Sequence, residues 1–150
     1  MRRALLLTGI AAGTAVLVAA ASIFVGPSRE DKIKNHLDRV RDLAFCQKAY
    51  EIASSFPSYE SRKTNDPAIK KELLRKSDAL DNKSKHLENL LTTDLKDEAV
   101  ELGLTPAEYD DHLDTIKEEV EVEAVDAFKQ AEEPQEILDQ LEKVCSDIIT

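Results

Sequence analysis

Leu102-Gly103-Leu104-Thr105-Pro106-Ala107-Glu108 is the stretch on which the fold turns. Gly103 suits the left-handed residue that closes a helix, because only glycine reaches positive φ without a Cβ penalty. Thr105 then reads as an N-cap, Pro106 as the first helical residue, and Glu108 as the reciprocal half of a capping box. One helix must end and another begin within these seven residues, so the chain reverses here.

Working outward, apolar residues on both sides recur at helical spacing. Downstream, Tyr109, Leu113, Ile116, Val120, Ala124, Ala127 and Ala131 share one face, and Glu133-Pro134 restarts a last helix carrying Ile137, Leu138, Leu141, Val144, Cys145 and Ile148. Upstream, Asp66-Pro67 is an N-cap and first helical position, and Ile69, Leu73, Leu80, Leu87, Leu91 and Leu95 repeat at sevens and fours. This predicts a helix from Pro67 to Leu102, open to interruption at Thr92-Thr93. A first helix is predicted to start at Ser28, with Asp31 three residues on, and to carry Ile33, Leu37, Val40, Ala44 and Phe45 inward. Ser54-Ser55-Phe56-Pro57-Ser58-Tyr59 is expected to end it, since proline forfeits a helical hydrogen bond, with a loop following to about Asp66. No run alternates with a period of two, so the sequence predicts an all-α, up-and-down bundle of four to five helices.

Ahead of the bundle, Met1-Arg2-Arg3 precedes an uncharged, mostly apolar run from Ala4 to Val25. A basic leader before such a run is an export or insertion signal. Ala19-Ala20-Ala21 offers the small residues of a cleavage site that would release a protein beginning near Ser22, whereas Ile23-Phe24-Val25 extend the run to a length that spans a bilayer. Residues 1–26 are therefore a signal peptide or a signal-anchor helix, and residues 27–150 an exported domain. Arg2 and Arg3 would stay in the cytoplasm, which predicts an inner-membrane protein facing the periplasm, or a periplasmic or secreted one if the leader is cut.

The chain has two cysteines, Cys46 and Cys145, both in the exported part, where oxidising conditions favour a bridge. Both fall on predicted apolar stripes, so the first and last helices are expected to be neighbours joined by a disulfide. Neither has a second cysteine or a histidine at the spacing of a zinc site.

Of the 20 basic side chains two lie in the leader, leaving 18 against 30 acidic ones, a net of −12 that argues against nucleic acid or anionic lipid as partner. The charge is uneven: residues 27–93 carry a net +3 and residues 94–150 a net −15. Basic rims of the early helices beside acidic rims of the late ones account for part of this. The surplus carboxylates from Tyr109 to Glu123 could also form an acidic recognition face, with Tyr109, Asp110, Asp111 and Asp114 as candidate contacts. A second candidate surface is the expected loop holding Phe56 and Tyr59 near Arg62 and Lys63, because aromatics and arginine are enriched at binding hot spots.

Chemical signatures are lacking. His36, His86 and His112 stand among charged residues rather than in motifs, and Glu108 with His112 lacks the Glu-x-x-His spacing of di-iron bundles. Asp110 to Asp114 has no glycine for a calcium loop, and no phosphate loop, nucleophile elbow or haem motif is found. Asn82-Lys83-Ser84 is a formal glycosylation sequon inside a predicted helix. These observations predict no cofactor, no metal and a non-enzymatic envelope or periplasmic interaction module of the inhibitor, immunity, adaptor or chaperone type, whose partner is another envelope or exported protein. The alternatives are a membrane-anchored spacer and a bundle that carries a small molecule or metal.

Overall fold

The computed structural model of the protein describes residues 26–130 and 134–149; the leader reading, including the 4–25 run, lies outside the described residues. Five helices follow in order: α1 (Arg29–Lys63), α2 (Pro67–Thr92), α3 (Asp94–Glu101), α4 (Pro106–Gln130) and α5 (Pro134–Ile149). The protein is an all-α bundle, and among the described residues none of its helices is long and apolar enough to cross a membrane.

Each end is built as its residue types dictate. Ser28 caps α1: the Asp31 amide donates to Ser28 Oγ at 3.1 Å and the Ser28 amide donates back to the Asp31 carboxylate at 3.1 Å. The Ser28 hydroxyl also donates to that carboxylate at 2.7 Å, and this bond first, then the amide's, holds the Asp31 carboxyl below its usual pKa. Asp66 caps α2 by accepting from the Ala68 and Ile69 amides at 2.8 and 3.2 Å. At the 102–108 turn, Gly103 has φ 100°, and the Leu104 and Gly103 amides donate to the Ala99 and Val100 carbonyls, a paired closure that satisfies two otherwise orphaned oxygens. Thr105 and Glu108 then form the reciprocal cap of α4, with Thr105 N–H to the Glu108 carboxylate at 2.7 Å and Glu108 N–H to Thr105 Oγ1 at 3.2 Å.

Two boundaries need comment. The predicted 67–102 helix divides at Thr93, whose ψ of −79° departs from helical geometry. Its hydroxyl donates to the Asn89 carbonyl at 2.6 Å, and the Thr92 hydroxyl to Glu88 at 2.9 Å, so side chains compete with the backbone ladder. At Pro57 the expected break is a correction: α1 continues through it to Lys63. The proline removes one N–H, and serines occupy the carbonyls around it. Ser54 and Ser55 donate to Glu51 and Ile52, Ser61 to Ser58, and Ser77 of α2 to the Ser54 carbonyl at 2.7 Å. Packing against α2 outweighs a local penalty of about 3 kcal/mol.

α1 is the spine. Gln47 reaches Ser84, His36 reaches Leu95 and Arg29 reaches Leu102 and Gly103, so α2 and α3 descend antiparallel along it. Arg41 binds Glu119 and Glu123, while Phe56 meets Phe128, so α4 climbs parallel to α1. α5 descends again, and Cys145 bonds Cys46 with Cα atoms 5.8 Å apart. The topology is up, down, up, down. The core is Val40, Leu43, Ala44, Ala49 and Ala53 of α1 against Leu87, Leu91, Leu95, Ala99, Tyr109 and Val120, with Leu141 from α5. Alanines along α1 let the neighbouring helices approach closely.

Candidate docking surface

The site begins where the bundle thins. Phe56 and Phe128 stack in a tilted pair with centroids 5.5 Å apart, and α4 ends two residues later at Gln130. Beyond that level α1 and α2 run on together to their connection at Thr64–Asp66, forming a two-helix tip that the described residues of α4 and α5 leave uncovered.

The sequence pattern on the tip is still that of a buried helix. Tyr59 lies one turn past Phe56 on the same side of α1, yet it is 58% exposed. Ile69 and Leu73 continue the inward stripe of Leu80 and Leu87 on α2; Ile69 is 52% exposed and Leu73 half-buried, and the adjacent Leu74 is 41% exposed. Exposed large apolar side chains near one end of a molecule make that end a candidate interaction surface.

Cations surround them. From Ser58 to Lys76 the chain holds six basic and three acidic side chains, although the protein as a whole carries −10. Lys63 places its ammonium 4.0 Å above the Tyr59 ring and donates to Glu60 at 2.9 Å, and the Glu60 hydrogen bond chiefly raises its pKa. Arg75 grips Glu72 with two bonds of 2.9 and 2.8 Å, which lowers the Glu72 carboxyl. The side chains of Arg62, Lys70 and Lys71 make no hydrogen bond or ion pair with the described residues.

Of the residues singled out in the sequence, Tyr59, Arg62 and Lys63 therefore stand together on this tip, though on a helix and not a loop. Phe56 is half-buried against Phe128 and forms its floor. The second set does not stay together. Tyr109 is a core residue, a correction to its place on an acidic face: it is fully buried, donates to the Leu91 carbonyl at 2.6 Å, and its phenol is pushed up to about 12 by burial first and then by Asp110 and Glu98. Asp110 is held by Lys96 at 2.7 Å, whereas Asp111 and Asp114 face solvent without a cation. Much of the charge asymmetry is resolved between helices, by Arg39 with Glu98, Arg41 with Glu119 and Glu123, Lys48 with Glu121 and Lys83 with Glu142.

Other candidates fall into place around this. His36 is buried and structural: its Nε2 lies 2.9 Å from the Leu95 carbonyl, and its Nδ1 3.6 Å from Glu98. Ser84 of the sequon is buried and accepts from Gln47 at 3.1 Å, while Asn82 and Lys83 before it are exposed. No group of three or more metal-binding side chains gathers among the described residues. A cleft of about 330 Å³ between α1, α4 and α5 is lined by Phe45, Ala127, Ile137, Leu141 and Val144 with two glutamines and no charge. No protein-family model, curated protein or solved structure matches this chain. The tip was missed as a unit in the sequence because its stripe reads as core and because the first helix was expected to end before it.

Proposed function

We propose that this protein is a non-enzymatic interaction module of the cell envelope that docks another exported or envelope protein through the tip of its α1–α2 hairpin. One observation carries the reading: Tyr59, Ile69 and Leu74 stand exposed on the same hairpin tip as the unpaired cations Arg62, Lys70 and Lys71, a part left bare by the described residues of α4 and α5. Apolar centres ringed by charge are what protein interfaces bury.

The leader reading sets the address. With residues 4–25 retained as an inner-membrane anchor, α1 begins just outside the bilayer and its 35 residues carry the tip roughly 52 Å along the helix axis. With the leader cut, the same domain is free in the periplasm or medium. The test is capture from native envelope extract by the full-length protein and by Tyr59→Ser/Ile69→Ser. A stoichiometric partner held by the first and lost by the second supports the reading; identical capture by both overturns it.

The length of α1 also favours a second reading, a membrane-anchored spacer that holds two layers apart. In that case lengthening or shortening the hairpin by whole heptads changes phenotype while Tyr59→Ser/Ile69→Ser does not.

A further inference from the structure

The tip has a counterpart on the same chain. The buried residues of α4, Tyr109, Leu113, Val120 and Ala124, occupy one side of that helix, and Asp111, Asp114, Glu118 and Val122 line the opposite side at spacings of three and four. Val122 is 63% exposed, the most exposed large apolar side chain among the described residues. Asp111, Asp114 and Glu118 make no side-chain hydrogen bond or ion pair with the described residues, although Glu119 and Glu123 beside them are held by Arg41. One chain thus presents exposed apolar residues and unpaired cations at its tip, and an apolar residue beside unpaired carboxylates on α4.

Within one molecule the two cannot meet. Arg41 fixes the Glu119 level of α4, and Arg62 lies 21 residues further along the same helix, a separation of roughly 31 Å. Resting on the reading of the tip as a docking surface, we infer that its occupant is a second copy of this chain: the tip of one molecule lies on the outward face of α4 of the next. Tyr59 and Ile69 cover Val122, while Arg62, Lys70 and Lys71 meet Asp111, Asp114 and Glu118. This tip-to-face contact is heterologous. A pair joined by one such contact keeps one free tip and one free face, so further copies can add until the rotation between neighbours closes a ring.

Every copy carries −10, so salt screens a long-range repulsion as well as the local attraction, and charge reversal is the decisive readout. The full-length protein in detergent micelles is followed by sedimentation across a wide concentration range. The wild type is expected to gain mass with concentration. Lys70→Glu/Lys71→Glu and Asp114→Lys/Glu118→Lys, all exposed positions without an ion-pair partner to lose, are each expected to weaken association by about tenfold or more. Their equimolar mixture regains it, because each reversed tip then finds a reversed face. A wild type that stays monomeric, association that survives both reversals, or a mixture that fails to recover overturns the inference. Monomers captured by anionic phospholipid vesicles through Lys70 and Lys71 also overturn it and assign the tip to a bilayer. Monomers whose tip instead binds a different envelope protein overturn the second-copy occupant but leave the docking role standing.

Discussion

Phe56 and Phe128, with ring centroids 5.5 Å apart, close the four-helix part of the bundle. On one side of that pair lies a core closed by a disulfide and rimmed by ion pairs; on the other, α1 and α2 continue past the described residues of α4 and α5. The division explains why an apolar stripe that reads as continuous along α2 is buried at Leu80 and exposed at Ile69.

The disulfide holds α5. Replacing both Cys46 and Cys145 with alanine is expected to cost about 2–5 kcal/mol, since the bridge closes a loop of 99 residues. Chemical denaturation measures the loss. Hydrogen exchange should rise first in α5, with the α1–α2 pairing still protected.

Tyr109 gives the protein an alkaline limit. Its folded-state pKa of about 12 exceeds the ordinary value near 10, so the neutral phenol is the form that fits. The stability this contributes is complete below pH about 10 and is lost as pH rises through about 12, a span on the order of 2–3 kcal/mol. Tyr109→Phe should cost about 1–2 kcal/mol at neutral pH through the lost bond to Leu91, and its penalty should shrink between pH 10 and 12. Unfolding curves of both proteins over that range check this; an unchanging difference would refute it.

Gly103 and Arg29 are coupled. A Cβ at Gly103 would overlap the Arg29 guanidinium, which donates to the Leu102 and Gly103 carbonyls, and alanine at φ 100° is strained in any case. Gly103→Ala should destabilise by about 1–3 kcal/mol. In an Arg29→Ala background the cost should fall to the backbone strain alone, and a double-mutant cycle measures the difference.

Pro57 is tolerated rather than needed for folding. Pro57→Ala restores a helical amide and should raise stability, by about 1 kcal/mol after allowance for the looser unfolded chain. A fall in melting temperature would show that the proline's geometry is itself required at this point.

What the sequence made legible was chemistry acting over a few residues. The caps at Ser28 and Asp66, the closure at Gly103 and the Thr105–Glu108 box each involve groups within one turn, so residue type alone predicts them. The cysteine pair was legible because both residues fall on apolar stripes. The reading failed where a distant partner decides. Pro57 looked like a terminus because α2's Ser77, which supports that turn, is 20 residues away. Tyr109 looked like part of an acidic face because its acceptor, Leu91, lies on another helix. Half of the candidate site was visible as Tyr59, Arg62 and Lys63; Ile69 and Leu74 were not, since periodicity shows which way a side chain faces and not whether another helix reaches far enough to cover it.

The most direct test of the tip as a docking surface is photo-cross-linking in living cells, with a light-activated amino acid replacing Tyr59 in one strain and Val100, an exposed apolar residue of α3 toward the opposite end, in another. The account predicts a discrete cross-linked species from position 59 and none from position 100. No adduct at 59, or the same adducts from both positions, would contradict it.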